Sequence, residues 1–387
     1  MAFAVETPPL ASAFGQFVAL LLWTPPLSVL AQDQRLWMDA QINGKAAHLY
    51  LDTGSENVWV SRPAVDRFGL KLRPSKQTVR SPAYQGHVTC TVVSPGLTLK
   101  GTFPVYDLPG SQPAREDGMI GWPEVRDRVV VIDAEKESFS FLPALPAEVT
   151  RWTKLQLEPH WKIFTMQAPS PLGGGVVIVD TGSSTGVGLP PGIWNEWKCS
   201  HPKQPLTLTA GFTMDSRLMV REQAWAETVS FAGLELSGVV VEQADQWSLK
   251  RANNNLVGTL GLAALKRLDL VVDGKHGTVY LRPKTNAPTA VNHNRLGAVF
   301  LPVNPTGGER HAHVATLSPA AEAGVCNGDV LLTVDGNDVA NNREHPETES
   351  GLYFAPAGTK HTLTVRRQQA TNSMTVELRD TLSPKVH

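Results

Sequence analysis

The chain has 387 residues, of which 42% are hydrophobic, with 32 glycines and 29 prolines. This composition predicts a folded, turn-rich, mostly β protein with enough length for two or three domains. A formal net charge of −1 without long runs of like charge argues against nucleic-acid binding, so we expect no nucleic-acid partner.

The three cysteines, Cys90, Cys199 and Cys326, lie far apart and form no Cys-x-x-Cys pattern. This spacing predicts neither a disulfide framework nor a metal site, although a single bridge between Cys90 and Cys199 stays open. The sequence also contains no His-Glu-x-x-His motif. We therefore expect no metal and no cofactor.

The amino terminus, residues 1–31, resembles an export signal. Phe14–Trp23 is an apolar run too short to cross a bilayer as a helix, and small residues precede a cleavage site after Ala31. The segment departs from an ordinary signal because its start carries Glu6 and no lysine or arginine. We predict a signal peptide and a periplasmic or secreted protein; a disordered or wrongly assigned start is the alternative.

The first folded segment is predicted to be a hairpin. Leu36–Ile42 and Ala46–Leu51 are strand-like, and Asn43-Gly44 between them is typical of a two-residue turn. The second strand leads into Asp52. A short helix is predicted from Pro63 to Gly69, because proline comes early in it and glycine at its end.

Asp52 lies in a motif that occurs twice, 128 residues apart. In each copy an apolar strand precedes an aspartate that threonine, glycine and serine follow; these are Asp52, Thr53, Gly54 and Ser55, then Asp180, Thr181, Gly182 and Ser183. A carboxylate at a buried strand end needs partners, and the hydroxyls and a tight glycine turn can supply them. One copy would indicate an ordinary polar turn, but two copies predict a pair of carboxylates.

A longer repeat relates the same two halves. Residues 118–143 align without gaps with residues 258–283, at a constant offset of 140. A proline-rich connection at 143–150 separates the halves. The chain is therefore predicted to contain a duplicated β domain with a near-twofold axis, at which the two aspartates can meet.

A hairpin between Thr78 and Leu99 is predicted to have two strands joined around Ser81–Gly86 and to cover a cleft. Tyr84 is the candidate for its tip. An ordinary surface tyrosine in a turn is the alternative.

These features resemble the pepsin-like aspartic proteases, in details closest to compact bacterial and retroviral-like members. The resemblance rests on the paired Asp-Thr-Gly-Ser motifs, on Trp59 after the first, and on the segments Met119–Gly121 and Thr259–Gly261. It implies a bilobal β-barrel fold with lobes at residues 34–146 and 147–284.

The resemblance also assigns roles to the residues of the two motifs. It implies that Asp52 and Asp180 are the catalytic acids and that Thr53 and Thr181 form a hydrogen-bonded grip between the loops. It further implies that the serines of both motifs, Ser55 and Ser183, support the outer carboxylate oxygens. Tyr84-Gln85-Gly86 matches the family's covering hairpin only loosely.

Electrostatics then suggest a mechanism. Two carboxylates about 3 Å apart repel by roughly 5 to 6 kcal/mol at an effective dielectric constant near 20, so the pair shares one proton. The ionised acid takes a proton from water while the protonated acid hydrogen-bonds the scissile carbonyl, and no acyl-enzyme forms. Serines beside both acids favour ionised carboxylate, so we predict an endopeptidase with an acidic optimum; which aspartate holds the proton stays open.

The substrate is expected to be a peptide or protein, and a monomer is expected because one chain supplies both lobes. A catalytically silent, peptide-binding adaptor on a protease fold is the alternative reading.

Residues 295–382 resemble the PDZ domains of bacterial secreted proteases, an α+β fold that follows a polar linker at 283–294. A capped helix within Leu317–Val325 and a strand and turn within Asn327–Gly336 carry the resemblance. It implies a peptide-binding loop at Leu296, Gly297, Ala298 and Val299, whose N–H groups hold a peptide's carboxylate. A sealed domain that only packs on the protease lobes is the alternative.

Overall fold

The structure, a computed structural model, describes residues 35–74, 83–107, 116–158, 162–170, 173–212, 218–252, 255–286, 291–302, 308–339 and 351–384. The predicted signal peptide at 1–31 lies outside these residues. Within them, no helix has the length and apolar character needed to cross a membrane. The predicted fold class is confirmed, since the chain is mostly β, with a β-barrel, a second lobe and a PDZ domain.

The amino-terminal lobe is a six-stranded barrel. Its elements are β1 (Leu36–Ile42), β2 (Lys45–Asp52), β3 (Trp59–Ser61), α1 (Arg62–Phe68), β4 (Tyr84–Ser94), β5 (Leu97–Tyr106), β6 (Gly118–Gly121), β7 (Val129–Asp133) and β8 (Ser138–Leu142), with a 3-10 turn at Trp122–Glu124. The order β1-β2-β6-β3-β5-β4 returns to β1, because β1 pairs with both β2 and β4. This closure leaves no free edge in the barrel.

Local sequence explains the start of this lobe. Asn43 and Gly44 adopt φ values of 50° and 79°, as a tight hairpin turn with the twist of its strands requires. The Ser61 side chain caps the first turn of α1, and Gly69, with φ of 66°, ends the helix. The predicted hairpin and the predicted short helix are both confirmed.

The carboxy-terminal lobe repeats this plan. Its elements are β9 (Thr153–Gln156), β10 (Thr165–Ser170), β11 (Gly173–Val179), β12 (Val187–Leu189), α2 (Pro191–Ser200), β13 (Thr207–Phe212), β14 (Leu218–Phe231), β15 (Leu234–Gln243), α3 (Gln246–Arg251), β16 (Leu256–Leu260), α4 (Leu262–Leu265), β17 (Leu268–Asp273) and β18 (Thr278–Pro283), with 3-10 turns at Ala147–Arg151 and Gly274–His276. The sheet order is β10-β11-β16-β12-β15-β14-β13. Its first six strands match the barrel of the other lobe position by position.

A shared sheet joins the two lobes in the order β8-β7-β17-β18-β9. In this sheet β7 of one lobe and β17 of the other are antiparallel neighbours, and Val131 faces Val271. These two valines are also equivalent in the sequence repeat, at its offset of 140. A residue that faces its own repeat counterpart marks the near-twofold axis between the lobes.

The carboxy-terminal module contains β19 (Ala298–Pro302), β20 (Arg310–Val314), α5 (Pro319–Glu322), β21 (Val330–Val334), β22 (Asn337–Asp338), β23 (Lys360–Arg367) and β24 (Ala370–Glu377). It has its own hydrophobic core around Phe300 and Leu363. Val299, Leu301 and Ala315, however, belong to the hydrophobic core of the protease lobes. The module therefore packs firmly against the protease part.

The two cysteines whose pairing was open are not bridged. Cys90 is buried in the amino-terminal barrel, Cys199 is exposed at the end of α2, and both are free thiols.

Candidate active site

Asp52 and Asp180 meet where the two lobes join. Asp52 ends β2 and Asp180 directly follows β11, the equivalent strand of the second lobe. Their carboxyl groups are close enough that each affects the pKa of the other. The duplication thus brings one acid from each lobe into a single site.

Thr53 and Thr181, both fully buried, hold the two loops together by reciprocal hydrogen bonds. The Thr53 N–H donates to Thr181 Oγ1 and the Thr181 N–H to Thr53 Oγ1, each at 3.0 Å. Each hydroxyl then donates at 2.7 Å to a carbonyl of the other lobe, Thr53 to Val179 and Thr181 to Leu51. Every donor has an acceptor in the opposite lobe, so the loops cannot separate without leaving buried polar groups unpaired.

Gly54 and Gly182 each serve both carboxyl groups. The Gly54 N–H donates to Asp52 Oδ1 at 2.9 Å, and the Gly182 N–H donates to Asp180 Oδ1 at 3.0 Å. A Cβ at Gly54 would lie 2.5 Å from Asp180 Cγ, and one at Gly182 would lie 2.4 Å from Asp52 Cγ. Each glycine therefore binds the acid of its own loop and leaves space for the acid of the other.

Ser55 and Ser183 do not support the carboxylates in the predicted way. The Ser55 hydroxyl accepts from the Asn57 N–H at 3.3 Å, and the Ser183 hydroxyl is bonded to Thr185 Oγ1 at 2.9 Å. Both serines stabilise the turns that follow the aspartates. The expected contacts with the outer carboxylate oxygens are absent from the described residues, because each hydroxyl points along its own turn.

Gly121 and Gly261, from the longer sequence repeat, lie behind these turns. A Cβ on Gly121 would lie 2.4 Å from the Asn57 carbonyl oxygen, and one on Gly261 would lie 2.5 Å from that of Thr185. Only glycine permits this close backbone approach. The repeat therefore marks the segments that position the two acidic loops.

Burial raises the pKa of both aspartates. Although each side chain keeps some exposure to the cleft, surrounding protein disfavours its charged form, and the negative charge of Asp180 raises the pKa of Asp52 further. The Gly54 and Gly182 N–H groups act in the opposite direction. Because each acid affects the pKa of the other, the two acids titrate as a pair.

Tyr84 lies at the start of β4, and β4 continues without interruption to its turn with β5. Gly86 has φ of 135° and lies at a register shift, so it forms a β-bulge. The predicted turn over Ser81–Gly86 was therefore wrong at its carboxyl end, because a glycine in a bulge looks like a turn glycine in the sequence. Residues 75–82 lie outside the described part of the chain.

Tyr84 is part of a row of aromatic rings. Its ring lies 5.4 Å from His87 and 5.7 Å from Tyr106, and its hydroxyl is bonded to the His87 ring. Tyr106 contacts Trp59, and Trp59 contacts Tyr50 of β2, with centroids 6.0 and 6.1 Å apart. The row connects Tyr84 to β2, the strand that carries Asp52. That Tyr84 covers a cleft stays a prediction.

Sequence reasoning missed two charged residues beside the site. Arg35 reaches the Gly182 carbonyl, and Lys162 forms a 3.0 Å ion pair with Glu56 across the lobes. The position of Arg35 could have been predicted from the hairpin. Pairing of β1 with β2 places Arg35, the residue before β1, near Asp52. Within the described ranges, no cluster of three or more His, Cys, Asp or Glu side chains is arranged to hold a metal ion.

The predicted peptide-binding loop of the PDZ domain, Leu296, Gly297, Ala298 and Val299, is buried. The N–H groups of Leu296 and Gly297 both donate to Asn294 Oδ1 at 3.1 Å. These are the groups that were expected to hold a peptide carboxylate, and a side chain of the same chain already occupies them. Asn294 Nδ2 also donates to the Ala298 carbonyl at 2.8 Å and to Leu208 of β13 at 3.1 Å.

The groove beside this loop is occupied in the same manner. The Phe300 N–H of β19 donates to the Tyr353 hydroxyl at 3.3 Å instead of to an added peptide strand. This bond occupies one backbone donor on the edge of β19 that an added strand would use. These bonds favour the sealed PDZ alternative, since the Leu296 and Gly297 N–H groups of the predicted loop are already bonded within the chain.

Comparison with known protein families matches two parts of the chain. Residues 38–123 match an aspartyl protease family, and residues 296–378 match the PDZ domain. A search of curated proteins found no match. The first match contains Asp52 but not Asp180, which lies beside Asp52 because of the fold. Both domain types are suited to binding a peptide or protein. The chain therefore combines an aspartyl protease domain with a carboxy-terminal PDZ domain, as the resemblance implied.

Proposed function

We propose that this protein is an aspartic endopeptidase in which Asp52 and Asp180 activate a water molecule for attack on a peptide bond. The close approach of the two carboxyl groups supports this most directly. The glycine that follows each acid by two residues leaves space for the carboxyl group of the opposite lobe. Two contacting acids in a site sheltered by both lobes hold one proton between them. This is the state that combines a general base with a general acid.

The proposed reaction follows from that shared proton. The ionised acid of the pair takes a proton from water, and the hydroxide equivalent attacks the carbonyl carbon. The protonated acid hydrogen-bonds the carbonyl oxygen and stabilises its developing charge. The acid that took the proton then delivers it to the leaving nitrogen, the carbon–nitrogen bond breaks, and no covalent enzyme intermediate forms.

The silent-adaptor alternative gains no support from the PDZ groove. In that groove the Leu296 and Gly297 N–H groups are bonded to Asn294 and the Phe300 N–H group to Tyr353, so these three donors are not available to a peptide. A protein that only bound peptides would also carry two buried acids without use, although burying such groups is unfavourable. We infer that the substrate is a peptide or protein bound in the protease cleft by a monomeric, exported enzyme.

Digestion of a mixed peptide library in water enriched in oxygen-18 tests the proposal. The wild type should cleave internal bonds and place one heavy oxygen in each new carboxyl group, whereas the double variant Asp52→Asn, Asp180→Asn should not cleave. Absence of cleavage by wild type between about pH 4 and 7, or equal cleavage by both proteins, would refute it. An amino terminus at Gln32 in the exported protein would support the signal peptide.

A further inference from the structure

Arg35 connects the first strand of one lobe to the acidic loop of the other. It directly precedes β1, in which Leu36 faces Leu51, so it lies beside the end of the strand that carries Asp52. Its Nη1 donates to the Gly182 carbonyl at 3.5 Å. Its guanidinium also lies 5.1 Å from the centroid of the Tyr50 ring. The side chain therefore spans the junction at which the two acids meet.

The second lobe has no such cation at the equivalent place. In that lobe the Val179 N–H donates to the Phe164 carbonyl at 3.0 Å, so Phe164 corresponds to Leu36. The residue before it, Ile163, corresponds to Arg35 and is buried and apolar. The hydrogen bonds of the two loops are symmetric, but the charge around them is not.

The charge of Arg35 acts on both acids. An arginine stays protonated at any pH at which the protein is folded, and a nearby positive charge favours ionised carboxylate. Arg35 accordingly lowers the pKa of Asp52 and of Asp180, against the effect of burial. Negative charges also act here, Asp245 on Asp180 and Glu116 on Tyr50, and the Lys162–Glu56 ion pair lies beside the site.

We propose that Arg35 is a positioning residue that holds the Gly182 carbonyl and sets the pH range over which the two acids carry one proton. This inference rests on the proposed function, because a single shared proton is what the reaction needs. A residue with a purely structural role would hold the Gly182 loop without affecting the pH range over which the acids carry one proton. The two roles therefore differ in their effect on the pH profile.

The test compares Arg35→Gln, Arg35→Lys and the control Arg62→Gln. Glutamine keeps a donor for the Gly182 carbonyl but removes the charge, whereas lysine keeps both. Arg62 is paired with Asp66 on the surface of α1, away from the acids. The alkaline limb of the kcat/KM profile should move upward by about one pH unit in Arg35→Gln and stay near the wild-type position in the other two.

A second readout separates this inference from the proposed function. The carboxyl carbons of Asp52 and Asp180 are titrated by carbon-13 NMR and assigned with the single asparagine variants. Their titration should move upward in Arg35→Gln even if no cleavable peptide is found, in which case only the proposed function fails. Unchanged titration in Arg35→Gln, or an equal shift in Arg35→Lys, would overturn the role of Arg35.

Discussion

The two protease lobes have the same strand order but complete their sheets differently. In the amino-terminal lobe, β1 pairs with β4 and closes the barrel. In the carboxy-terminal lobe, the equivalent β14 pairs with β13, and the Asn294 side chain ties β13 to the PDZ domain. The two lobes therefore share a strand order but differ in what completes each sheet.

The same contrast holds at the site itself. The threonine bonds match within each pair, at 3.0 Å and at 2.7 Å. The surroundings do not match, since Arg35 has an isoleucine as its counterpart. The comparison separates geometry, which the duplication makes symmetric, from charge, which differs between the lobes.

The largest effect is expected from replacing either acid alone. Asp52→Asn and Asp180→Asn should each lower kcat/KM by about 10³-fold or more, because neither lobe has a complete site. Asp66→Asn, on the exposed face of α1, is the control. Peptide cleavage by purified proteins measures the effect; a variant that retained a tenth of the activity would show that one lobe suffices.

The next largest effect should follow from adding a methyl group beside either acid. Gly54→Ala and Gly182→Ala would place a Cβ about 2.5 Å or less from the opposite carboxyl carbon, so the acids must shift and kcat/KM should fall by about 10²-fold. Gly192→Ala is the matched control, since nothing lies within 4 Å of its Cβ position. Equal activity in all three variants would contradict the requirement for glycine beside each carboxyl group.

A smaller effect is expected where the PDZ domain meets the second lobe. Asn294→Ala leaves the Leu296 and Gly297 N–H groups and the Leu208 carbonyl without their partner, so the free energy of unfolding should fall by about 1–3 kcal/mol. Denaturant unfolding measures this, with the exposed Asn292→Ala as control. Tight binding of carboxy-terminal peptides by the wild type would contradict a sealed groove.

The smallest effect concerns His293, a buried residue at the same junction. The N–H groups of Thr381 and Leu382 donate to its Nε2 at 3.0 and 3.3 Å, and its Nδ1 is bonded to the Val291 carbonyl. The ring must therefore be neutral, because a proton on Nε2 would point at the two N–H groups that donate to this atom. Burial, assisted by the positive charge of Arg295, lowers the pKa of His293 below its usual value.

The sign of the pH effect follows from that direction. Because the folded-state pKa is the lower one, the unfolded chain takes up this proton first, and stability is lost as the pH falls below about 6.5. His293→Gln, which keeps a donor and an acceptor, should lose less stability between about pH 7 and 5 than the wild type. Thermal unfolding at both pH values measures this; an identical pH dependence would contradict it.

The meeting of Asp52 and Asp180 was predictable because repetition carries geometric information. Two copies of one strand-and-turn motif, in halves related by a constant offset, must form equivalent loops. The grip between Thr53 and Thr181 was implied by the resemblance to the aspartic proteases. Asp52 and Asp180 thus needed only local sequence and symmetry.

Features that depend on contacts between unlike segments were not predictable. Arg35 acts on a loop of the other lobe, and Asn294 occupies a loop that looks open when only Leu296–Val299 is considered. Gly86 was misread because bulges and turns use the same residue. In each case the role of the residue depends on the segment that it contacts, which its local sequence does not reveal.

The central claim is that carboxyl groups from two lobes share one proton, and a proton-binding measurement tests it without a substrate. Potentiometric titration of folded wild type and of the double variant Asp52→Asn, Asp180→Asn gives the difference in bound protons at each pH. At about pH 6, where independent aspartates would both be ionised, the wild type should hold one more proton than the variant. A difference of none, or of two, would contradict the account.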